Sequence, residues 1–227
     1  MVTAGGLTEN MITLKIDGTA PLSAQSVKAL AALCDETEDR PTPAVVAVHV
    51  TGAPEDGWTS GLDVALVTKW ERTLRRLERL PAPTLAVARG DCGGAALDAF
   101  LATDFRIAAP DTRLLVVSDT AATWPGMAAF RLVQQAGAAR VRRAVLLGLP
   151  IDAAEARALG IADEVADDPD AVLAATAERV TGLNGKELAI RRQLLFDATS
   201  TGFEDAIGPH LAACDRALRR ATAEEPS

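Results

Sequence analysis

The glycine-rich turn at residues 90–95, GDCGGA, separates an apolar run, TLAVA, from a helix-like run, ALDAFLA. Glycines let the backbone turn sharply and leave amide N–H groups exposed at the start of a helix, where the helix dipole favours negative charge. Such a turn can bind a phosphate or stabilise an oxyanion, or it can simply let a strand and a helix pack closely.

The glycine spacing argues against phosphate binding. A dinucleotide fingerprint requires G-x-G-x-x-G, which residues 90–95 do not match. A Walker loop requires Gly-Lys followed by Ser or Thr, and this turn contains no lysine. An oxyanion site and a tight packing turn therefore remain as the two interpretations.

A second glycine turn, WTSGLDV at residues 58–64, favours the oxyanion interpretation. It follows the apolar run AVVAVHV, as the first turn follows TLAVA. Continuous apolar runs of this length are typical of strands buried on both faces. If the two strands are neighbours, the two turns can present two N–H donors to one point.

The elements that would position these turns alternate between strand and helix in the first half of the chain, and helices dominate afterwards. The predicted strands cover residues 11–16, 44–50, 84–88, 105–108 and 113–117, with a short extended piece near residue 164. The predicted helices are one capped by Ser23 and those at 64–80, 128–136, 138–148, 152–159, 169–182, 184–197 and 203–221. This order predicts an α/β protein with a helical extension.

The helix predicted at residues 64–80 carries an apolar stripe. Trp70, Leu74 and Leu77 repeat at helical spacing, which is typical of a face packed on a core. The arginines between them are either a solvated face or contacts to an anionic ligand or partner subunit; they are Arg72, Arg75, Arg76 and Arg79.

Composition narrows the class of protein. The 227 residues suit one domain, and the net charge of −8 with a pI near 4.9 argues against nucleic-acid binding. The chain shows no signal peptide and no apolar run long enough for a membrane span, so we expect a cytoplasmic protein. Three widely spaced cysteines and two distant histidines predict reduced thiols and no metal site.

Two later segments complete a recognisable pattern. A Pro-Gly pair at residues 125–126 precedes a helix, and residues 146–165 read LLGLPIDAAEARALGIADEV. With the two glycine turns, these segments resemble the enoyl-CoA hydratase/isomerase (crotonase) superfamily over roughly residues 11–200. The resemblance implies a crotonase-like spiral of ββα units at residues 11–168 and a C-terminal helical trimerisation region at 169–221. A flexible N-terminus, 1–10, and a disordered tail, 222–227, would flank them.

The resemblance also implies a ligand, an acyl-CoA thioester used as substrate, with no tightly bound cofactor. The backbone N–H groups of Ser60 and Ala95 would bind the thioester oxygen as an enolate develops. Ala95 replaces the glycine usual in the family, which keeps the N–H but restricts the backbone. Other turn residues would lie near the coenzyme A moiety; they are Gly61, Leu62, Asp63 and Gly94.

The acid and base are the least typical part of the pattern. Hydratases of this superfamily use two glutamates, and the first corresponds to Asp98, whose side chain is shorter by about 1.5 Å. The second corresponds to Ser118, so Asp119, the next residue, is the candidate for the missing carboxylate. Asp98 can alternatively be a solvated helix residue, and Asp104 is expected to cap a strand.

The short chain, the WTSGLDVALV turn and the incomplete glutamate pair resemble one branch, the auxiliary crotonase-like proteins of 3,5-dihydroxyphenylglycine biosynthesis in glycopeptide-antibiotic pathways. That resemblance implies a lyase that helps a type III polyketide synthase make 3,5-dihydroxyphenylacetyl-CoA by dehydration and aromatisation. The alternatives are a non-catalytic partner of the synthase or of a second crotonase-like subunit, and an ordinary enoyl-CoA hydratase. A homotrimer or a hexamer is expected.

Overall fold

The computed structural model describes residues 10–119, 122–183 and 185–224. Its strands are β1 Met11–Asp17, β2 Val45–Gly52, β3 Thr84–Gly93, β4 Phe105–Ala108, β5 Arg113–Leu115, β6 Ile151–Asp152 and β7 Glu164–Val165. Its helices are α1 Ala24–Asp39, α2 Val64–Leu77, α3 Ala95–Leu101, α4 Met127–Ala136, α5 Ala138–Leu147, α6 Ala153–Ala158, α7 Pro169–Val180, α8 Lys186–Asp197 and α9 Phe203–Glu224.

A parallel sheet with the strand order β1-β2-β3-β4-β7 forms the centre of the fold. β2 and β3 are adjacent, as the similar apolar runs predict, and their register pairs Val48 with Ala86. Alternate residues of β2 belong to two hydrophobic clusters, because helices cover both faces of the sheet. The predicted α/β class is therefore confirmed.

The strand that precedes the first glycine turn is longer than predicted. β3 continues through residues 89–93, and its end pairs with β5, which in turn pairs antiparallel with β6. The register between β2 and β3 shifts after Thr51, so that Gly52 lies opposite Cys92. Residues 89–93, which were predicted to form a turn, therefore extend the sheet, and only Gly94 separates strand from helix.

Apolar side chains of α2 and α7 pack these helices on the two faces of the sheet. The α2 stripe of Trp70, Leu74 and Leu77 is buried, which confirms the predicted core face. On the other face, Leu173 and Ala177 of α7 join the second hydrophobic cluster with residues of β2 and β3. α7 therefore packs directly on the sheet.

A buried cation links α8 to the core. Arg192 of α8 is buried and donates hydrogen bonds to the backbone oxygens of Leu80 and Ala82 and to the Asp104 carboxylate. The division of the chain at residue 168 stays a prediction. Residues 1–9 of the predicted flexible N-terminus and 225–227 of the predicted tail lie outside the described residues.

Within the described ranges, no helix is both long enough and apolar enough to cross a bilayer.

Candidate active site

The junction between β3 and α3 is built on two glycines with different roles. A Cβ atom on Gly93 would lie 2.7 Å from Val117 Cγ1 and 2.9 Å from the Ala53 Cβ, so a side chain does not fit there. Gly94 caps α3 with a φ of 53°, in the region that favours glycine. These two residues bring the start of α3 close to the neighbouring loops.

Both predicted turns line one small cavity of about 40 Å³. Trp58 and Leu62 contribute from the turn at residues 58–64, and Gly94 and Ala95 from the turn at residues 90–95. The remaining lining residues are Leu22, Val67, Trp70, Glu71, Leu97, Asp98, Leu115, Val116, Val117, Trp124 and Ala128. The structure therefore brings the two turns to a common cavity.

The two candidate oxyanion donors are placed differently. Ala95 is the first residue of α3, where the helix itself supplies no acceptor for the N–H group. Ser60 lies outside the cavity lining, and its N–H donates to the Gly57 oxygen at 2.9 Å. In this conformation, Ser60 can donate to a ligand only after that hydrogen bond is released.

Two tryptophans hold the turn at residues 58–64 over the cavity. The Trp58 indole Nε1 donates to the Ser118 backbone oxygen at 2.8 Å. Trp58 also packs edge-on against Trp124, with 5.1 Å between the ring centroids. The turn is thus fixed to Ser118 by one hydrogen bond and to Trp124 by one aromatic contact.

Asp98 lies inside the cavity rather than on a solvated helix face. The Trp70 indole Nε1 donates to its Oδ2 at 3.1 Å. Burial, with a further contribution from the negative charge of Glu71, raises the pKa of Asp98 to about 7. A carboxyl group with such a pKa can both accept and donate a proton near neutral pH.

Asp119, the other candidate carboxylate, lies outside this cavity lining. It is exposed, and its Oδ1 accepts a hydrogen bond from the Ala122 N–H at 3.0 Å. Ser118, at the position of the second family glutamate, is also exposed. The structure does not bring Asp119 together with Asp98, and a catalytic role for it stays a prediction.

The cavity does have a second carboxylate, Glu71 of α2, which the sequence analysis missed. Its Oε2 accepts a hydrogen bond from Arg131 Nη1 at 2.9 Å. Burial raises the pKa of Glu71, and Arg131 acts in the opposite direction. Glu71 and Glu78 are seven residues apart beside the apolar stripe of α2, which is the one sequence signal that they share a face.

The residues predicted to lie near coenzyme A are divided between the cavity and its rim. Leu62 and Gly94 line the cavity, whereas Gly61 turns the chain with a φ of 82°. Asp63 is the N-cap of α2, because its Oδ1 accepts a hydrogen bond from the Leu66 N–H at 2.6 Å. It also borders an open cavity of about 450 Å³ that contains Lys28 and Lys69.

Cys92, in the first glycine segment, is a buried structural residue. Burial raises the pKa of its thiol to about 12, so the reactive thiolate is scarce at neutral pH. Its Sγ lies 3.6 Å from the Val50 oxygen, at the end of the neighbouring strand.

Comparison with known proteins gives consistent matches. The enoyl-CoA hydratase/isomerase family model matches residues 26–225. A protein from Amycolatopsis orientalis named Enoyl-CoA-hydratase is 57% identical over 209 residues, which cover 92% of this chain and 96% of that protein.

Solved structures show the same fold. An enoyl-CoA hydratase/isomerase family protein from Silicibacter pomeroyi has a TM-score of 0.78 at 18% identity, over 96% of this chain and 97% of its own. An enoyl-CoA hydratase from Shewanella pealeana also has a TM-score of 0.78, at 15% identity, over 92% of this chain and 85% of its own. The family model and the Amycolatopsis relative carry the assignment further than the fold: this chain belongs to the enoyl-CoA hydratase/isomerase family.

Proposed function

We propose that this protein is a lyase that binds a polyketide CoA thioester, stabilises its enolate and promotes loss of water. In this role it assists a type III polyketide synthase in making 3,5-dihydroxyphenylacetyl-CoA. The observation that supports the chemistry is Asp98, a carboxyl group with a pKa of about 7 that shares a cavity with the Ala95 end of α3.

The oxyanion contacts are the first part of the proposed mechanism. The N–H groups of Ala95 and Ser60 bind the thioester oxygen, where negative charge develops when the α-proton leaves. One such donor typically contributes about 2.7–4 kcal/mol to transition-state stabilisation. Releasing Ser60 from Gly57 costs about 0.5–1.5 kcal/mol, which one oxyanion contact outweighs.

Ligand entry requires the same movement of the turn at residues 58–64. A cavity of about 40 Å³ is far smaller than the roughly 300 Å³ of a small ligand site. Two short-range hydrogen bonds shape this turn, from Trp58 N–H to the Glu55 oxygen and from Leu62 N–H to the Thr59 oxygen. Opening it also releases the contacts of the Trp58 side chain with Ser118 and Trp124. Opening this turn would enlarge the cavity and expose the Ser60 N–H together.

Asp98 transfers a proton as water leaves. An activated polyketide dehydrates and aromatises readily, so a single carboxyl group can support a reaction for which a simple enoyl-CoA hydratase uses two. General acid–base catalysis of this kind typically raises the reaction rate by about 10²–10⁴-fold. Asp98 suits it because, among the described residues, its side chain forms no ion pair that would hold it in one charge state.

Residues of the two turns supply contacts for coenzyme A. The pantetheine arm would lie along the backbone of Gly61, Leu62, Asp63 and Gly94. The exposed ammonium groups of Lys28 and Lys69, which pair with no described carboxylate, suit the phosphates of the ligand. They give an acidic protein a local positive patch for an anionic substrate.

The proposed assembly is a homotrimer or a hexamer formed through the C-terminal helices. α9 exposes apolar side chains at helical spacing that suit burial against another subunit; they are Phe203, Ile207, Leu211 and Leu218. A mixed assembly with a second crotonase-like subunit would use the same surface.

Replacing Asp98 tests the proposed function. We expect Asp98→Asn to lower the rate at which the synthase intermediate becomes 3,5-dihydroxyphenylacetyl-CoA by about 10²–10⁴-fold. Asp119→Asn is the matched control, and its activity should stay at the wild-type rate because Asp119 lies outside the cavity lining. Full activity of Asp98→Asn in a liquid-chromatography assay would eliminate the proposed proton transfer.

A non-catalytic partner of the synthase is the second candidate, and the engaged Ser60 N–H and the serine at position 118 favour it. We would separate this protein from the synthase by a dialysis membrane that passes only the released intermediate. Faster product formation on the protein side supports an enzyme, whereas acceleration that needs physical mixing supports a scaffold.

An ordinary enoyl-CoA hydratase is the third candidate, and the name of the Amycolatopsis relative favours it. Rapid hydration of crotonyl-CoA, followed by loss of the enoyl absorbance, would establish that activity. We expect slow or undetectable hydration, because Ser118 replaces the second glutamate.

A further inference from the structure

Glu71 occupies a position that distinguishes it from the other acidic residues. It lines the active-site cavity and also a second cavity of about 500 Å³ between α2, α4 and α8. Of the residues described in the structure, it is the only one that lines both. Its carboxylate therefore forms part of the wall between them.

An ion-pair network fixes the position of Glu71. Arg131 of α4 is buried; its Nη1 donates to Glu71 Oε2 at 2.9 Å and its Nε to Glu78 Oε1 at 2.7 Å. Arg75 Nη1 holds the other oxygen of Glu78 at 2.8 Å. Within the described chain no hydrogen bond is made to Glu71 Oε1, which leaves that oxygen for a ligand.

Glu71 is placed to complete the chemistry of Asp98. The side chain of Glu71 is 19% exposed, and it lines the same small cavity as Asp98. The charged groups that face it are Arg131 from α4, Glu78 from its own helix and Asp98 from α3. Arg131 favours the ionised form of Glu71, whereas the hydrogen-bond partner that Asp98 has among the described side chains is the neutral Trp70 indole.

We infer that Glu71 is the second proton-transfer residue of this site, the base that accepts the α-proton of the bound thioester, while Asp98 is the acid. This inference rests on the proposed function and assigns it a carboxylate from α2 rather than from the segment around residue 118.

The proposed step balances. Glu71 takes the proton from Cα, the C–H electron pair forms a double bond from Cα to the carbonyl carbon, and the carbonyl π pair moves to the thioester oxygen, where the backbone N–H groups hold the enolate. The carbonyl then re-forms, a Cα–Cβ double bond forms, and the Cβ–O bond breaks. The departing hydroxyl takes the proton of Asp98 and leaves as water. Transfer of the proton from Glu71 to Asp98 within their shared cavity restores both groups.

Exchange of an α-proton separates the two roles, because it needs a base but no leaving group. The probe is phenylacetyl-CoA in D₂O, with deuterium uptake followed by mass spectrometry. We expect Glu71→Gln to lower both exchange and dehydration by at least about 10²-fold, with partial recovery in Glu71→Asp. Asp98→Asn should lose dehydration but keep exchange.

Glu78→Gln is the matched control. It removes a carboxylate that holds the same Arg131, but Glu78 lines only the second cavity. If Glu71 acts merely by holding Arg131, the two glutamine variants should lose exchange equally, and that result would overturn the inference. Urea unfolding of each variant shows whether a loss of exchange reflects a loss of fold.

The outcomes also separate this inference from the proposed function. Wild-type exchange that survives in Glu71→Gln contradicts the inference and leaves the proposed function standing. If the wild-type protein catalyses neither exchange nor dehydration, the proposed function itself fails, and the role of Glu71 fails with it.

Discussion

Asp98 and Asp104 are six residues apart, yet their surroundings differ completely. Asp98 lies in α3 and accepts one hydrogen bond, from the Trp70 indole. Asp104 lies just beyond the C-terminal end of α3, and both of its carboxylate oxygens accept hydrogen bonds from Arg192 at 2.6 Å. Thr84 adds two more, from its backbone N–H and its hydroxyl, each at 2.9 Å.

The difference shows what separates a structural carboxylate from a reactive one. The Asp104 carboxylate pairs with the Arg192 guanidinium and joins α8 to the start of β3. Asp98 forms no ion pair with any residue that the structure describes, and its protonation near neutral pH therefore responds to its surroundings. The residue type is the same, and the neighbouring side chains decide the role.

The largest expected effect on stability comes from removing the charge of Asp104. Asp104→Asn leaves the buried Arg192 cation without a counter-charge, and such a change typically costs about 3–5 kcal/mol. Urea unfolding would measure the loss at pH 7. Because the Asp104 side chain is 30% exposed, we expect the lower end of that range. An unchanged midpoint would show that the ion pair does not attach α8.

The same substitution at Asp98 should have the opposite sign. The pKa of Asp98 rises from 3.8 to about 7 on folding, so the folded protein holds a proton there that the unfolded chain releases. Its contribution to stability is therefore complete below about pH 4 and is lost as the pH rises to about 7.

Asp98→Asn should consequently be more stable than the wild type at pH 8, by a few kcal/mol, and should lose that advantage near pH 4. Unfolding free energies of both proteins at pH 4, 6 and 8 would measure the difference. A constant difference across this range would contradict the raised pKa.

The smallest expected effect comes from Thr84→Val, which keeps the shape of the side chain but removes its hydroxyl. The hydroxyl donates to Asp104 Oδ2 and accepts from the Asp104 N–H, each at 2.9 Å. We expect a loss of about 1 kcal/mol in unfolding free energy and unchanged activity. A loss as large as that of Asp104→Asn would show that Thr84 rather than Arg192 stabilises the carboxylate.

The local patterns predicted the parts of the fold that depend on near neighbours. The apolar runs of β2 and β3 and the α2 stripe of Trp70, Leu74 and Leu77 have the predicted structure. The extension of β3 through residues 89–93 was missed, because it depends on pairing with β5, a short strand with few residues of its own.

In the candidate site too, local sequence patterns could not predict contacts between residues that are distant in sequence. Counting along the family motif leads to Asp98, which lines the cavity, and to Ser118, whose neighbour Asp119 was the candidate carboxylate; neither Ser118 nor Asp119 lines it. Glu71 could not be found by counting, because its partner Arg131 is 60 residues away and only the folded chain brings them together. Arg192 and Asp104 are separated by 88 residues, so this pair was equally hidden.

The position of Arg192 late in the chain has a consequence for biosynthesis. A nascent polypeptide leaves the ribosome from its N-terminus, so Asp104 and the carbonyls of Leu80 and Ala82 emerge long before the guanidinium that will cover them. Until translation passes residue 192, these hydrogen-bond acceptors remain hydrated. Their contact with Arg192 joins residues that are distant in sequence, and we expect folding of the protein to end with it.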